Sequence, residues 1–147
     1  MKVRKAVGAI IKKDSRFLLC HKILIPKYNL KMDEWNFLRG GIEEGEDLKK
    51  ALMRELEEET NTNKFKIIKH IGPFQFEFPE TVKKITKHQA QTNEMFLVEF
   101  YGDEDELKPD NVEIDKLEWF TEEEVLSKLR YNEAKTFFKE KVLPLFE

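Results

Sequence analysis

The chain has one cysteine, Cys20, and it sits within an apolar run. No intramolecular disulfide can form, which suits a reducing compartment, and the setting reads as a small core residue rather than a nucleophile. Its three histidines, His21, His70 and His88, lack the spacing of metal ligands. No apolar stretch approaches the roughly eighteen residues that cross a bilayer. The apolar run Ala6–Ile11 that follows Lys2, Arg4 and Lys5 is too short for a signal-peptide core. A net charge of −3 offers no general attraction to a nucleic acid polymer or a membrane surface. No internal repeat, low-complexity tract or glycine-rich dinucleotide fingerprint follows a strand. The expectation at this level is a soluble, cytoplasmic protein acting on small molecules, monomeric or homodimeric.

What is present argues for a folded domain. The 147 residues are 40% hydrophobic and include 12 phenylalanines, enough for one domain, residues 1–147, with a real core. Val3–Lys12 and Arg16–Ile25 read as strands joined by a polar turn, Pro26–Asp33 as a loop, and Trp35–Leu38 as a short strand entering a glycine loop. A helix capped by Asp47 runs to Thr60, with Asn61 as its stop. Phe65–Phe78 reads as one or two strands, Pro79–Gln91 as a loop, Glu94–Tyr101 as a strong strand, Gly102–Val112 as an acidic loop and Ile114–Phe120 as a strand. Thr121 and Glu124 form a capping box for a helix to Leu129, and Asn132–Leu143 is a final amphipathic helix. Such a mixture without a strict βαβ rhythm predicts an α/β (α+β) fold, a mixed β-sheet sandwiched between helices.

The helix after Asp47 is electrostatically odd. Glu55, Glu58 and Glu59 crowd its C-terminal end, where the helix dipole favours cations, and like charges at that spacing repel by about 0.2–0.5 kcal/mol per pair. On a helical wheel, Leu48, Ala51, Leu52 and Leu56 form an apolar stripe. Glu59 falls on that stripe, Glu55 sits beside it and Glu58 at its edge, while Lys49, Lys50, Arg54 and Glu57 face elsewhere. A solvated acidic face would lie opposite the leucines. Carboxylates turned inward need a compensating partner, and a hard divalent cation is the usual one.

The spacing around that helix closely resembles the Nudix box. Gly40 is followed by five residues, Glu46, seven residues, Arg54-Glu55-Leu56, one residue, and Glu58-Glu59. Trp35 before the box and Glu113…Trp119-Phe120-Thr121 after it are similar to the family's flanks. The resemblance implies an α/β/α sandwich and hydrolysis of a nucleoside diphosphate linked to another group, with Mg²⁺ or Mn²⁺ as cofactor. It implies metal binding by Glu55, Glu58, Glu59 and Glu113, with Glu94 a weaker candidate. It further implies catalytic roles for Glu58 and Glu55, orientation of Glu55 by Arg54, and anchoring of the loop by Glu46. Gly40 and Gly41 would let the backbone approach the metal.

Departures from the pattern carry information. Asn61 replaces the closing glycine and Thr62 an aliphatic residue. Arg39 stands where relatives that cleave dinucleoside polyphosphates often carry lysine, and Leu129-Arg130-Tyr131…Lys135 is similar to that subgroup's tail. Dinucleoside polyphosphates or nucleoside triphosphates are therefore the expected substrates. Arg39 is either a phosphate contact or an ordinary surface charge, and Trp35, Phe74, Phe76, Phe78 and Tyr131 are stacking candidates or core. The competing expectation is a non-catalytic nucleotide-sensing module, although such modules commonly lose box carboxylates that are all present here. An isoprenoid diphosphate isomerase is disfavoured, since Cys20 would be its only thiol.

Overall fold

Alternation along the first strand sets the two faces of the sheet. In the computed structural model, which describes residues 2–147, strand β1 spans Lys2–Lys13. Val7, Ala9 and Ile11 point into one buried cluster and Ile10 into the other, as period-two geometry requires. Asp14, left-handed at φ 55°, turns the chain into β2, Arg16–Ile25. The hairpin holds only at its turn, through the rungs Lys12–Phe17 and Lys13–Arg16. Beyond it the strands part. On one side β1 takes the short antiparallel strand β4, Leu38–Gly41, and on the other the parallel strand β6, His88–Phe100. β2 takes β3, Leu30–Asn36, and β7, Ile114–Phe120. β5, Phe65–Glu77, pairs with β6 and completes a seven-stranded mixed sheet.

Helices cover both faces. α1, Leu48–Thr60, presses Ala51, Leu52 and Leu56 against Val7, Val98 and Phe100. Full burial of a leucine-sized side chain contributes about 1.5–3 kcal/mol, so Leu52 and Leu56 bind the helix firmly. On the other face, α3 (Glu122–Lys128) and α4 (Asn132–Phe137) bring Val125, Ala134 and Phe137 onto Ile10, Phe17 and Phe76. The result is the expected α/β/α sandwich.

Four local expectations are corrected. Only Pro26–Tyr28, a 3-10 turn, and Asn29 lie outside strands in the stretch read as loop, because β3 starts at Leu30 and its most buried positions are the polar Glu34 and Asn36, which hide the alternation. Gly40 and Gly41 are not a loop. They end β4, opposite Val7 and Ala6. Glu80–Thr86 forms helix α2, which buries only Val82, too little apolar surface to signal itself. The last helix widens at Phe138–Val142 into a π-turn and closes as a 3-10 turn at Leu143–Phe146. Among the described residues no helix is long and apolar enough to cross a membrane.

Candidate active site

α1 begins where Asp47 accepts a bond from the Lys50 amide (2.8 Å). It stops at Asn61, left-handed at φ 60°, whose N–H reaches the Glu57 carbonyl and whose amide donates to the Lys108 carbonyl (2.7 Å). Between these caps the wheel is realised in order. Glu59 is only 4% exposed, the Glu55 side chain 15% and the Glu58 side chain 59%.

Burial raises the proton affinity of Glu59 well above the carboxylate range. Glu55, Glu113 and Asp110 add to the effect against the opposing charge of Lys22. Glu55 shifts the same way, first by desolvation, with Arg54 opposing and Glu58 and Glu113 reinforcing. Glu59 Oε2 is buried and accepts no hydrogen bond. A buried carboxylate oxygen without a partner costs free energy that a cation recovers.

Arg54 ties the helix to the chain before it. Its Nε and Nη2 grip both oxygens of Glu46 (2.7 and 2.9 Å), Nη2 also donates to the Gly41 carbonyl (3.0 Å), and Nη1 donates to Glu55 Oε1 (2.9 Å). The hydrogen bonds from Arg54 hold the Glu46 carboxyl down at about 2, and Glu46 in turn raises the proton affinity of Arg54. Glu46 Oε1 also accepts the Glu43 amide (2.9 Å), closing the turn from Ile42 to Asp47.

Glu55, Glu58 and Glu59 border a cleft of about 380 Å³. Its acidic end holds Glu55, Glu58, Glu59, Asp110 and Glu113. Asp110 also organises its own loop, accepting the amides of Val112, Glu113 and Ile114 (2.9–3.1 Å), which brings Glu113 to the cleft. The lining is also aromatic and cationic. The rings of Phe76 and Tyr131 stack at 4.0 Å and 17°, and the Arg39 guanidinium lies 4.7 Å and 5.8 Å from their centroids. Burial lowers the proton affinity of Arg39, and no carboxylate pairs with it within 4 Å among the described residues. Buried Glu34 accepts from Asn36 (3.1 Å) and faces Arg130 Nε at 3.5 Å.

Of the residues singled out from sequence, Arg39, Gly40, Gly41, Glu55, Glu58, Glu59, Glu113 and Tyr131 meet at this cleft, with Arg54 and Glu46 behind them. Trp35 does not. It packs edge-on to Phe120 at 5.1 Å, leans on His21, and its backbone bridges to Leu129, because strand alternation turns it away from the face that Glu34 presents. Glu94 is also elsewhere, bonded to His70 at 2.7 Å. Sequence reasoning overlooked Asp110, Lys22, Arg4 and Glu34. Asp110 had a signal, an Asp-Asn turn just before Glu113, but the others come from distant strands.

The donor set suits a hard divalent ion: carboxylate oxygens, one of them buried and unpartnered, at a helix end already too negative. Among the described residues no group of three or more His, Cys, Asp or Glu side chains stands as a formed metal site. An open arrangement of this kind fits an ion that keeps waters and shares its coordination with a phosphate.

Known proteins resemble this chain in sequence and in fold. A family model described as NUDIX domain matches residues 2–144. An RNA pyrophosphohydrolase of Campylobacter jejuni subsp. jejuni (strain 81-176) is 38% identical over 97 residues, covering 65% of this chain and 62% of that protein. One from a Nitratiruptor species is 43% identical over 68 residues, 45% of this chain and 44% of the relative. The matches thus span less than two thirds of those relatives' own length. Among solved structures, the fold is shared with a NUDIX hydrolase from Nitrosomonas europaea (TM-score 0.72, 21% identity, 94% of this chain and 87% of that one). It is also shared with a C. elegans Ap4A hydrolase (TM-score 0.70, 21% identity, 93% of each chain).

Proposed function

The chain belongs to the Nudix family, and from that premise we propose that it hydrolyses a pyrophosphate bond at a nucleoside 5′-polyphosphate, either a 5′-triphosphorylated RNA end or a dinucleoside polyphosphate. The observation that carries the reading is the partnerless Glu59 Oε2, buried in a cleft that Glu55 and Glu113 share with cationic and aromatic side chains. Such a cleft suits a ligand with a phosphate chain and a base. The C. jejuni and Nitratiruptor relatives, named RNA pyrophosphohydrolases, support the RNA end, and the shared Ap4A hydrolase fold is compatible with the dinucleotide.

Glu55, Glu58, Glu59 and Glu113 would hold Mg²⁺ or Mn²⁺. When bound, the ion neutralises phosphate charge and lowers the pKa of a coordinated water. The chain's own groups do the rest. Arg54 orients Glu55, and Glu46 holds Arg54. Glu58, the most open of the three helix carboxylates, takes the proton of the attacking water. The new bond forms between water oxygen and phosphorus, the bridging P–O bond breaks, and the leaving phosphate carries away the negative charge. Arg39 meets the non-bridging oxygens, and Tyr131, backed by the buried Phe76, offers a surface for the base.

Hydrolysis of a panel (5′-triphosphorylated RNA, diadenosine tetraphosphate, ATP) with Mg²⁺, with products identified by mass, tests this. Turnover lost in Glu58→Gln supports it. Equal behaviour of the two proteins overturns it, and binding without turnover by the wild type would make the domain a sensor instead.

A further inference from the structure

Near the cleft stand basic side chains that the chemistry above does not use. Lys2 and Arg4 are two residues apart on β1, with a shift of register against β6 between Lys2 and Val3. The parallel register sets Lys2 beside His88 and Arg4 beside Gln91, whose amide oxygen accepts from Arg4 Nη1 at 2.8 Å. Lys87, left-handed at φ 63°, immediately precedes His88. Arg4 and His88 line the cleft, and Lys2 and Lys87 adjoin His88, the first as its partner in the sheet and the second as its neighbour in sequence. Lys2, Arg4 and Lys87 are exposed, and none of the four makes an ion pair among the described residues. Neighbouring Lys83 is different, since Glu80 and Glu77 neutralise it (3.2 and 3.8 Å). A protein of net charge −3 therefore leaves an uncompensated cationic strip at the mouth of its cleft.

An aromatic side chain completes the strip. Phe78, half-buried in the cleft wall, meets Phe76 edge-on (5.5 Å, 89°), which leaves a ring face for another partner. Cations in a line beside an available ring are how proteins hold single-stranded nucleic acid, the charges following phosphates and the ring stacking a base.

We infer that Lys2, Lys87 and their cleft-side neighbours Arg4, His88 and Phe78 form an accessory site for the first nucleotides of a single-stranded RNA whose 5′ end lies in the cleft. The inference rests on the proposed pyrophosphohydrolase reading and chooses between its substrates. A dinucleoside polyphosphate has no phosphates beyond its bridge for Lys2 and Lys87 to meet, whereas an RNA has one per nucleotide. It also revises the expectation of no polymer partner, which rested on whole-molecule charge. The strip's charge is local.

The test compares wild type with Lys2→Gln/Lys87→Gln on a 5′-triphosphorylated RNA hexamer and on ATP, at 50 and 200 mM salt. Two lost phosphate contacts flatten the salt slope of log(kcat/KM) on the hexamer by about 1.4, the single-strand value being about 0.7 per contact. The double variant loses about tenfold on the hexamer at low salt and nothing on ATP. Equal losses on both substrates, or no effect of the substitutions on either, overturn the strip. Fluorescence anisotropy with a 5′-hydroxyl hexamer, which offers nothing to hydrolyse, reads the strip alone. Weaker binding by the double variant supports it even if no substrate is turned over, and unchanged binding rejects it even if hydrolysis is seen.

Discussion

Gly40 and Glu55 fit together because one of them has no side chain. A Cβ on Gly40 would stand 2.0 Å from Glu55 Cδ and 2.1 Å from its Oε2. The glycine is needed for space rather than for backbone freedom, since it sits in β4, paired with Val7. The strand end and the helix carboxylate are therefore one structural unit.

Gly40→Ala should fold, because the atoms it displaces are the far end of a flexible side chain, but it should lose activity. Moving a reacting or metal-holding group by about 1 Å can cost about 100-fold in rate. We expect a melting temperature within a few degrees of wild type, about 1 kcal/mol, and kcat reduced by about that factor. Full activity in a folded Gly40→Ala protein would show that Glu55 can work from another position.

Arg54→Lys should be as damaging as many ligand changes although Arg54 holds no metal itself. Lysine cannot reproduce the fork that grips Glu46 while also reaching Glu55 and the Gly41 carbonyl. Groups that orient metal ligands cost about 10–100-fold in affinity or activity when changed. Since Glu46 acts through Arg54, the Glu46→Gln/Arg54→Lys pair should cost clearly less than the product of the single losses. Strict multiplicativity in kcat/KM would refute the shared linkage.

Mg²⁺ should stabilise the protein without substrate. An ion present at about 100 times its Kd adds about 2.7 kcal/mol, a rise of about 5–10 °C for a chain of this size. Glu59→Gln should remove most of that rise while melting no lower than wild type in chelator, because it discards a buried carboxylate whose Oε2 has no partner. Thermal scans with EDTA and with Mg²⁺ measure both effects.

His21 should make stability fall at alkaline pH. Its ring nitrogens lie 2.6 Å from Asp115 and 2.7 Å from Asp33, and both can donate only when the ring is an imidazolium. Desolvation pulls its pKa down, but the two carboxylates outweigh it, so the folded value lies above 6.5. A raised folded value means the contribution is complete below the unfolded pKa near 6.5 and is lost as pH rises through the folded one. Urea midpoints between pH 6 and 9 should decline more in wild type than in His21→Gln, and parallel curves would reject the assignment.

The acidic end of the cleft was legible because it is local. Glu55, Glu58 and Glu59 share one helix, helix geometry is set by spacing, and an inward acid beside Leu52 and Leu56 is visible in a string of letters. The caps at Asp47, Asn61 and Thr121 were legible for the same reason, being chemistry between residues a few positions apart. The rest required the sheet. Trp35 and Glu34 are adjacent in sequence, and only the pairing of β2 with β3 decides which of them meets the cleft. Arg4, Lys22, Arg39, Asp110 and Tyr131 lie on five separate segments, and no period links them. The chain by itself determined the helix, its charge conflict and the spacing of its box. Tertiary packing decided which cations and rings face that helix, because strand register and the burial of both sheet faces are settled by contacts between residues far apart in sequence.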